Sequence, residues 1–244
     1  MIIALTGNQQ SGKDTIAKMI QYYHYSKRKG ISSFLLDDFL KNENEWYDRI
    51  MKFENPNWQI KKFALKLKQQ AADLVGCSVE DFENEEFKAT VMPKQFQIKY
   101  EHPVDNHITY SQHTYRWLLQ HLADKIKELL GENYFVDELF SSYEDGKIKN
   151  AEPNRINDEP GILRRTRNLE SNWIISDMRY LYEAKAVKER GGIIIKIERH
   201  NEHNHTHSSE TELSKIKSDF TIQNNSTLDA LYEHVSNILN QLYK

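Results

Sequence analysis

The first fifteen residues constrain the fold of this chain more than any other stretch. A short apolar run, Ile2–Thr6, is followed by a loop bounded by Gly7 and Gly12, then by Lys13 and residues with helical spacing. A strand, a glycine-bounded loop and a helix in this order are typical of a phosphate-binding P-loop. The loop N–H groups, the helix N-terminus and the lysine all present positive charge to an anion. We therefore favour a P-loop over a chance turn between a strand and a helix.

The residue after the lysine departs from the usual P-loop pattern. A Ser or Thr normally stands there and its hydroxyl binds Mg²⁺, whereas this chain has Asp14 followed by Thr15. A carboxylate can bind the metal directly or through water, but its charge also opposes phosphate. Either Asp14 or Thr15 is expected to hold Mg²⁺. The predicted nucleotide-binding residues are Gly7, Ser11, Gly12, Lys13, Asp14 and Thr15.

Composition limits the classes of protein that can carry this loop. The 244 residues suffice for one α/β domain with insertions and are few for two domains. A formal net charge of −3 gives no basic surplus for binding nucleic acid. The single cysteine, Cys77, excludes an internal disulfide, and no apolar run approaches the length of a membrane span. We expect a soluble cytoplasmic protein with neither a nucleic-acid nor a membrane partner.

A second phosphate-site signal lies far along the chain. The apolar run Trp173–Ser176 ends on Asp177, the form of a Walker B carboxylate at the carboxyl end of a parallel strand. This signal is weak alone and stronger after a P-loop. Further strands are expected at Ile60–Ala64, Ile193–Ile197 and Phe220–Ile222, and a short one at 34–36. Because these runs alternate with helical stretches, the sequence predicts a parallel sheet flanked by helices.

Helices are predicted where apolar residues recur at helical spacing. Their expected spans are Gly12–Tyr25, Leu65–Gly76, Thr114–Leu130, Met178–Glu189 and Leu228–Leu242. The Thr114–Leu130 helix carries an apolar stripe that extends to its last two leucines. Arg116, Gln120 and Asp124 share another face of it, which either lines a pocket or is simply exposed. Residues 93–107 are expected to form a loop, and residues 141–171 a long loop or a lid.

Three classes of protein combine a P-loop with an aspartate across the sheet. A GTPase also needs an Asn-Lys-x-Asp stretch that reads the base, and this sequence has none. A mechanical ATPase or a nucleic-acid motor usually has a longer chain and a basic groove. A small-molecule kinase needs an acceptor pocket with arginines and a lid that excludes water. Arg116, Arg179 and the polar insertions favour the small-molecule kinase.

Five pieces of sequence, in order along the chain, resemble the phage-type deoxynucleoside monophosphate kinases, a branch of the P-loop nucleoside-monophosphate-kinase-like family. The pieces are Ser11–Thr15; Lys62–Lys68 with Gly76 and Glu85–Lys88; Arg116–Gln120; Trp173–Arg179 with Glu183 and Ala184; and His207–Thr211. They span nearly the whole chain, and the Gly-Lys-Asp-Thr form of the loop is usual in that family. The chain differs from relatives in having Leu122-Ala123-Asp124 where a Gly-Thr pair is usual. Residues 26–57 and 141–171 have no firm counterpart.

The resemblance implies a P-loop NTPase fold, with residues 1–244 as a single kinase domain. A helical region at about 59–140 would bind the acceptor, and residues at about 141–171 would form a loop or lid-like insertion. The implied reaction transfers the γ-phosphoryl group of ATP, with Mg²⁺, to a deoxynucleoside 5′-monophosphate and yields the diphosphate and ADP. Small-molecule nucleotides are then the partners, and a homodimer is left open. The location is the host cytoplasm if a phage encodes the chain.

The resemblance also assigns roles to residues. The implied catalytic residues are Lys13, Asp177 and Arg179. The implied acceptor pocket, with arginines on phosphate and carboxylates on sugar or base, is lined by Arg116, Gln120, Asp177, Arg179 and Glu183. Base preference stays open because of the departures. The alternatives are another small-molecule kinase, such as one acting on dephospho-coenzyme A, and a nucleotide-binding regulator without turnover.

Four histidines crowd the stretch after Ile193–Ile197, namely His200, His203, His205 and His207. Four imidazoles within eight residues can ligate zinc, but no cysteine is near and the stretch is otherwise polar. We expect a solvated loop without structural metal, because no evident partners would orient the imidazoles. Elemental analysis of the purified, untagged protein should find no stoichiometric zinc. One zinc ion per chain would contradict this prediction.

Overall fold

The computed structural model of the chain describes residues 1–30, 36–41, 58–103, 105–144, 147–148, 172–199 and 212–243. Its strands are β1 (Ile2–Thr6), β2 (Trp58–Lys61), β3 (Lys99–Glu101), β4 (Ile108–Tyr110), β5 (Tyr143–Glu144), β6 (Lys147–Ile148), β7 (Asn172–Met178), β8 (Ile193–Glu198) and β9 (Phe220–Gln223). Its α-helices are α1 (Lys13–Lys29), α2 (Leu36–Lys41), α3 (Leu65–Val75), α4 (Glu85–Ala89), α5 (Tyr115–Leu130), α6 (Tyr134–Phe140), α7 (Leu181–Glu189) and α8 (Leu228–Leu242). Short 3-10 turns cover Glu80–Glu83 and Lys94–Phe96.

A five-stranded parallel sheet, in the order β2-β7-β1-β8-β9, organises the part of the chain that contains the P-loop. The central strand β1 pairs with β7, where Ile3 lies opposite Ile174, and on its other side with β8. All of β1 and most of β7 are buried, as expected for parallel strands covered on both faces. The predicted parallel sheet is therefore confirmed, in the α/β arrangement of a P-loop kinase.

Helices cover this sheet through apolar faces that the sequence periodicity predicts. Helix α1 contacts β7 and α8, and α7 contacts β8. One buried cluster joins the sheet to α1 and α8; its helical members include Ile16, Met19, Ile20, Leu231, Val235 and Leu239. Within the described ranges, no helix combines the length and apolarity needed to cross a membrane.

The chain divides into two compact units. The first comprises Met1–Phe63 and Leu139–Lys244 and contains the five-stranded sheet. The second, Ala64–Glu138, has its own core, in which Phe82 is fully buried and Phe87 stacks on Tyr115 with 4.2 Å between ring centroids. The second unit falls inside the region at 59–140 predicted to bind the acceptor. That role, and the organisation as a single domain, stay predictions.

Most predicted elements of the first unit are present, with shifted ends. Helix α1 runs past Tyr25 to Lys29 and ends at Gly30, whose left-handed φ of 66° terminates it. The strand predicted to start at Ile60 instead spans Trp58–Lys61, because its pairing with β7 stops at Lys61. Helix α7 begins at Leu181 rather than Met178, since Met178 still belongs to β7. Helix α8 has the predicted span.

Two predictions for the second unit are wrong in part. Residues 93–107 are not a plain loop, because they contain a 3-10 turn and strand β3, whose Lys99 pairs with Tyr110 of β4. Strands of three residues are too short to show an alternating pattern in the sequence. Helix α5 has nearly the predicted span, but its last two leucines are not core residues. Leu129 is 80% exposed and Leu130 is 62% exposed.

Several predictions concern residues outside the described part of the chain. The histidine stretch at 200–207 lies wholly outside it. The strand predicted at 34–36 is described only at Leu36, which begins α2 instead. In the insertion at 141–171, the described secondary structure is the pair of two-residue antiparallel strands β5 and β6.

The fold predicts a large stability difference between two truncations of apolar residues. Ile174 is fully buried in β7, so Ile174→Ala should lower the free energy of unfolding by about 2–5 kcal/mol through lost burial and a cavity. Leu129→Ala, at an exposed position of α5, should change it by less than about 0.5 kcal/mol. Urea denaturation followed by circular dichroism measures both values. Comparable losses for the two variants would contradict the assigned core.

Candidate active site

The loop between β1 and α1 has the backbone geometry of a P-loop. Gly7 has φ 150° and Gly12 has φ 98°, a range that side chains disfavour. A Cβ at Gly7 would lie 2.3 Å from the Ile197 carbonyl oxygen, and one at Gly12 would lie 2.4 Å from Nδ2 of Asn224. The loop therefore needs both glycines, for conformation and for close packing.

Lys13, the first residue of α1, occupies the centre of the loop. Its ammonium donates hydrogen bonds to the carbonyl oxygens of Gly7 at 2.8 Å and Asn8 at 2.7 Å. The side-chain oxygen of Ser11 lies 3.5 Å away. Burial and the nearby Arg179 guanidinium lower the pKa of Lys13 to about 8, although Asp14 and Asp177 act in the opposite direction. An incoming phosphate would favour the charged form.

Asp14 is held by side chains from two other parts of the first unit. Its Oδ1 accepts a hydrogen bond from the Ser176 hydroxyl at 2.8 Å and lies 3.3 Å from the Lys62 ammonium. Partial desolvation raises the pKa of Asp14, but Lys62, Ser176 and Lys13 together hold that pKa below its ordinary value. Asp14 is therefore a carboxylate at neutral pH. Thr15, the other predicted metal ligand, is half-buried in the first turn of α1.

Asp177 lies near the carboxyl end of β7, as the sequence predicted, and Arg179 directly follows this strand instead of lying in the next helix. Because β7 is the parallel neighbour of β1, with Thr6 opposite Met178, this end of β7 lies beside the P-loop. Oδ1 of Asp177 accepts a hydrogen bond from the Phe63 N–H at 2.8 Å. Both Asp177 and Arg179 are close enough to Lys13 to shift its pKa. The structure thus brings together the three residues predicted to be catalytic.

Glu183 has a structural role that the sequence reasoning missed. The residue is only 5% exposed, and its Oε2 accepts hydrogen bonds from the backbone N–H groups of Arg179 at 2.6 Å and Tyr180 at 3.0 Å. This is the reach-back of a glutamate in the first turn of a helix to the residues that precede it. Glu183 therefore fixes the backbone that carries Arg179. Its predicted contact with the acceptor stays a prediction.

Arg116 and Gln120 belong to the second unit. Nη2 of Arg116 pairs with Oε2 of Glu85 at 2.6 Å, while Lys88 pairs with the other oxygen of that carboxylate. Desolvation raises the pKa of Glu85, but hydrogen bonds from Lys88 and Arg116 and their charges hold it below its ordinary value. Gln120 is exposed on α5. These contacts anchor Arg116, and the predicted part of both residues in acceptor binding stays a prediction.

Three further residues of this site, Lys62, Ser176 and Asn224, were not among the predicted site residues. The side-chain Nδ2 of Asn224 donates a hydrogen bond to the carbonyl oxygen of Ser11 at 2.8 Å. The backbone N–H of Asn224 donates to the carbonyl oxygen of Glu198 at 2.7 Å. Asn224 thereby braces the outer wall of the P-loop. The signal that could have found these residues is position, since Lys62 and Asn224 directly follow the parallel strands β2 and β9.

The oxygen atoms at this site suit a magnesium ion bound together with phosphate. Asp14 and Thr15 supply a carboxylate and a hydroxyl oxygen, the ligand type that Mg²⁺ prefers. Across the described ranges, no group of three or more His, Cys, Asp or Glu side chains is placed to hold a metal. Mg²⁺ usually takes one or two carboxylates together with phosphate oxygens and water.

Comparison with known proteins supports the family resemblance. Residues 160–235 match the sequence model of a family described as deoxynucleotide monophosphate kinase. Over 64 residues the chain is 44% identical to a protein of Acanthamoeba polyphaga mimivirus provisionally named a deoxynucleotide monophosphate kinase. That alignment covers 25% of this chain and 33% of the curated relative. The chain therefore spans about a third of the length of that relative. The resemblance is confirmed over residues 160–235, which include β7 and Asn224 but not the P-loop.

The capping role of Glu183 predicts a graded loss of stability. Glu183→Ala should lower the free energy of unfolding by about 2 kcal/mol, because two backbone N–H groups lose their acceptor. Glu183→Gln retains a carbonyl oxygen and should cost about half as much. Glu189→Ala, at the exposed end of the same helix, is the control and should change stability by less than about 0.5 kcal/mol. Chemical denaturation measures all three, and equal effects of Glu183→Ala and Glu189→Ala would exclude the cap.

Proposed function

We propose that this protein is a kinase that transfers the γ-phosphoryl group of ATP to a deoxynucleoside 5′-monophosphate. The observation that carries the proposal is the position of Lys13, enclosed by the P-loop and within electrostatic reach of Asp177 and Arg179. The match of residues 160–235 to the deoxynucleotide monophosphate kinase family supports the choice of reaction class. ATP, with Mg²⁺, is the phosphoryl donor that a kinase of this type uses.

In the proposed mechanism the P-loop holds the β- and γ-phosphates. The ammonium of Lys13, which donates hydrogen bonds to the carbonyl oxygens of Gly7 and Asn8, would donate to phosphate oxygens instead when the nucleotide binds. Its charge then offsets the negative charge that the transferred group carries in the transition state. Mg²⁺, when bound at Asp14 or Thr15, would neutralise further phosphate charge. The geometry of the loop is set before binding, by Gly7, Gly12 and the brace from Asn224.

The acceptor needs positioning and charge neutralisation more than proton removal. A monophosphate is already an anion, so the reaction demands no general base. The Arg179 side chain is proposed to bind the acceptor phosphate, and Glu183 fixes the backbone of Arg179 by accepting its N–H. Asp177 is proposed to accept hydrogen bonds from the sugar or base, while Phe63 N–H holds its Oδ1. Arg116 and Gln120 are also proposed to contact the acceptor, as the family resemblance implies.

An ADP-release assay tests the reaction and its acceptor. The protein is given ATP and Mg²⁺ with each of the four common deoxynucleoside monophosphates, with dephospho-coenzyme A, or with no acceptor. We expect turnover with at least one deoxynucleoside monophosphate. Turnover with dephospho-coenzyme A alone would identify a different small-molecule kinase. ATP binding without turnover on any acceptor would indicate a regulator, and either result would overturn the proposal.

The role of Lys13 gives the assay its mechanistic control. Lys13→Met should lower kcat by at least about a hundredfold, because the transition-state charge loses a preorganised cation. Lys27→Met removes a lysine from an exposed position of the same helix and should leave kcat unchanged. Both variants are first checked for a wild-type circular dichroism spectrum. A folded Lys13→Met variant with wild-type turnover would remove the P-loop from the mechanism.

A further inference from the structure

Two consecutive residues after β2 contact the two carboxylates beside the P-loop. The Lys62 ammonium lies 3.3 Å from Oδ1 of Asp14, and the Phe63 N–H donates to Oδ1 of Asp177 at 2.8 Å. The Lys62 side chain is 21% exposed, whereas the Asp14 side chain is 66% exposed. Lys62 is therefore largely enclosed at the edge of the site, and its charge is directed at a carboxylate that faces solvent.

The negative charge of Asp14 creates a problem that a P-loop with Ser or Thr does not have. A carboxylate directly after the P-loop lysine repels the polyphosphate that this loop binds. Lys13 alone cannot offset that repulsion, because its single positive charge is also needed to neutralise the phosphate groups of the nucleotide. The Lys62 ammonium supplies the missing charge, because together Asp14 and Lys62 are neutral.

We propose that Lys62 is a positioning residue of the nucleotide site that acts through Asp14. Its positive charge neutralises Asp14 while no metal is bound, which allows the P-loop to accept a nucleotide without Mg²⁺. A divalent cation at Asp14 supplies the same charge and makes Lys62 less necessary. This inference rests on the proposed function, because it presumes that the P-loop binds nucleotide phosphates.

A purely stabilising role explains the Lys62–Asp14 pair less well. Ion pairs with a solvent-exposed partner contribute about 0–1 kcal/mol to stability, so this pair adds little to the fold. Orientation of Asp14 does not require Lys62 either, because the Ser176 hydroxyl already donates to the same oxygen at 2.8 Å. What remains specific to Lys62 is its positive charge.

Binding of ADP to the full-length protein tests the inference without relying on turnover. Affinity is measured by isothermal titration calorimetry in EDTA and again with Mg²⁺. In EDTA, Lys62→Met should weaken ADP binding about tenfold, because Asp14 then repels the nucleotide. Lys62→Arg should retain wild-type affinity. Lys61→Met removes the neighbouring cation, whose Nζ lies over the Trp173 ring at 5.1 Å from its centroid, and should also retain it.

A double-mutant cycle distinguishes action through Asp14 from direct contact with phosphate. In an Asp14→Asn background, Lys62→Met should change ADP affinity in EDTA by less than about twofold, since no carboxylate charge remains to be offset. With Asp14 present, Mg²⁺ should restore most of the affinity that Lys62→Met loses. A tenfold loss that persists in the Asp14→Asn background would overturn the inference in favour of a direct phosphate contact.

ADP binding by the wild-type protein distinguishes failure of this inference from failure of the proposed function. An unchanged affinity of folded Lys62→Met in EDTA would overturn the role of Lys62 while leaving the nucleotide site intact. Failure of the wild-type protein to bind ADP with or without Mg²⁺ would instead overturn the proposed function, and this inference with it. Circular dichroism spectra and melting temperatures of all variants confirm that the comparison concerns folded proteins.

Discussion

The parallel pairing of β1 with β7 is the interaction on which the candidate site depends. It joins residues near the start of the chain to residues about 170 positions later, with Ile2 opposite Trp173 and Thr6 opposite Met178. Because both strands point the same way, the loop after β1 and the polar residues at the end of β7 lie at one edge of the sheet. Lys13 thereby lies within electrostatic reach of Asp177 and Arg179; burial and Arg179 lower the pKa of Lys13, whereas Asp177 raises it.

The sequence predicts the regular parts of this structure well because they depend on local patterns. The buried strands are short apolar runs, and α8 spans Leu228–Leu242 as its periodicity indicates. The P-loop motif is also recognised from a local pattern, since it consists of two glycines and a lysine at fixed spacing. The β3–β4 hairpin was missed because three-residue strands carry too little pattern.

Contacts that form only in the folded chain explain what the sequence could not predict. Glu183 reads as an acidic residue in a helix, and only the folded backbone shows that it accepts from the N–H groups of Arg179 and Tyr180. The partnership of Lys62 with Asp14 joins the end of β2 to the start of α1. Glu183 and Lys62 both lie in stretches that resemble the kinase family. Neither that resemblance nor the spacing of residues specifies which atoms these side chains contact.

The brace between Asn224 and Ser11 means that the P-loop motif is not a self-sufficient module. The two residues are 213 positions apart, yet the side-chain amide of Asn224 donates a hydrogen bond to the carbonyl oxygen of Ser11. The same amide also occupies the space that a Cβ at Gly12 would need. A truncated chain that kept every residue of the motif but stopped before β9 would leave the outer wall of its loop unsupported. Selection for phosphate binding would therefore act on position 224 as well as on the residues of the P-loop motif.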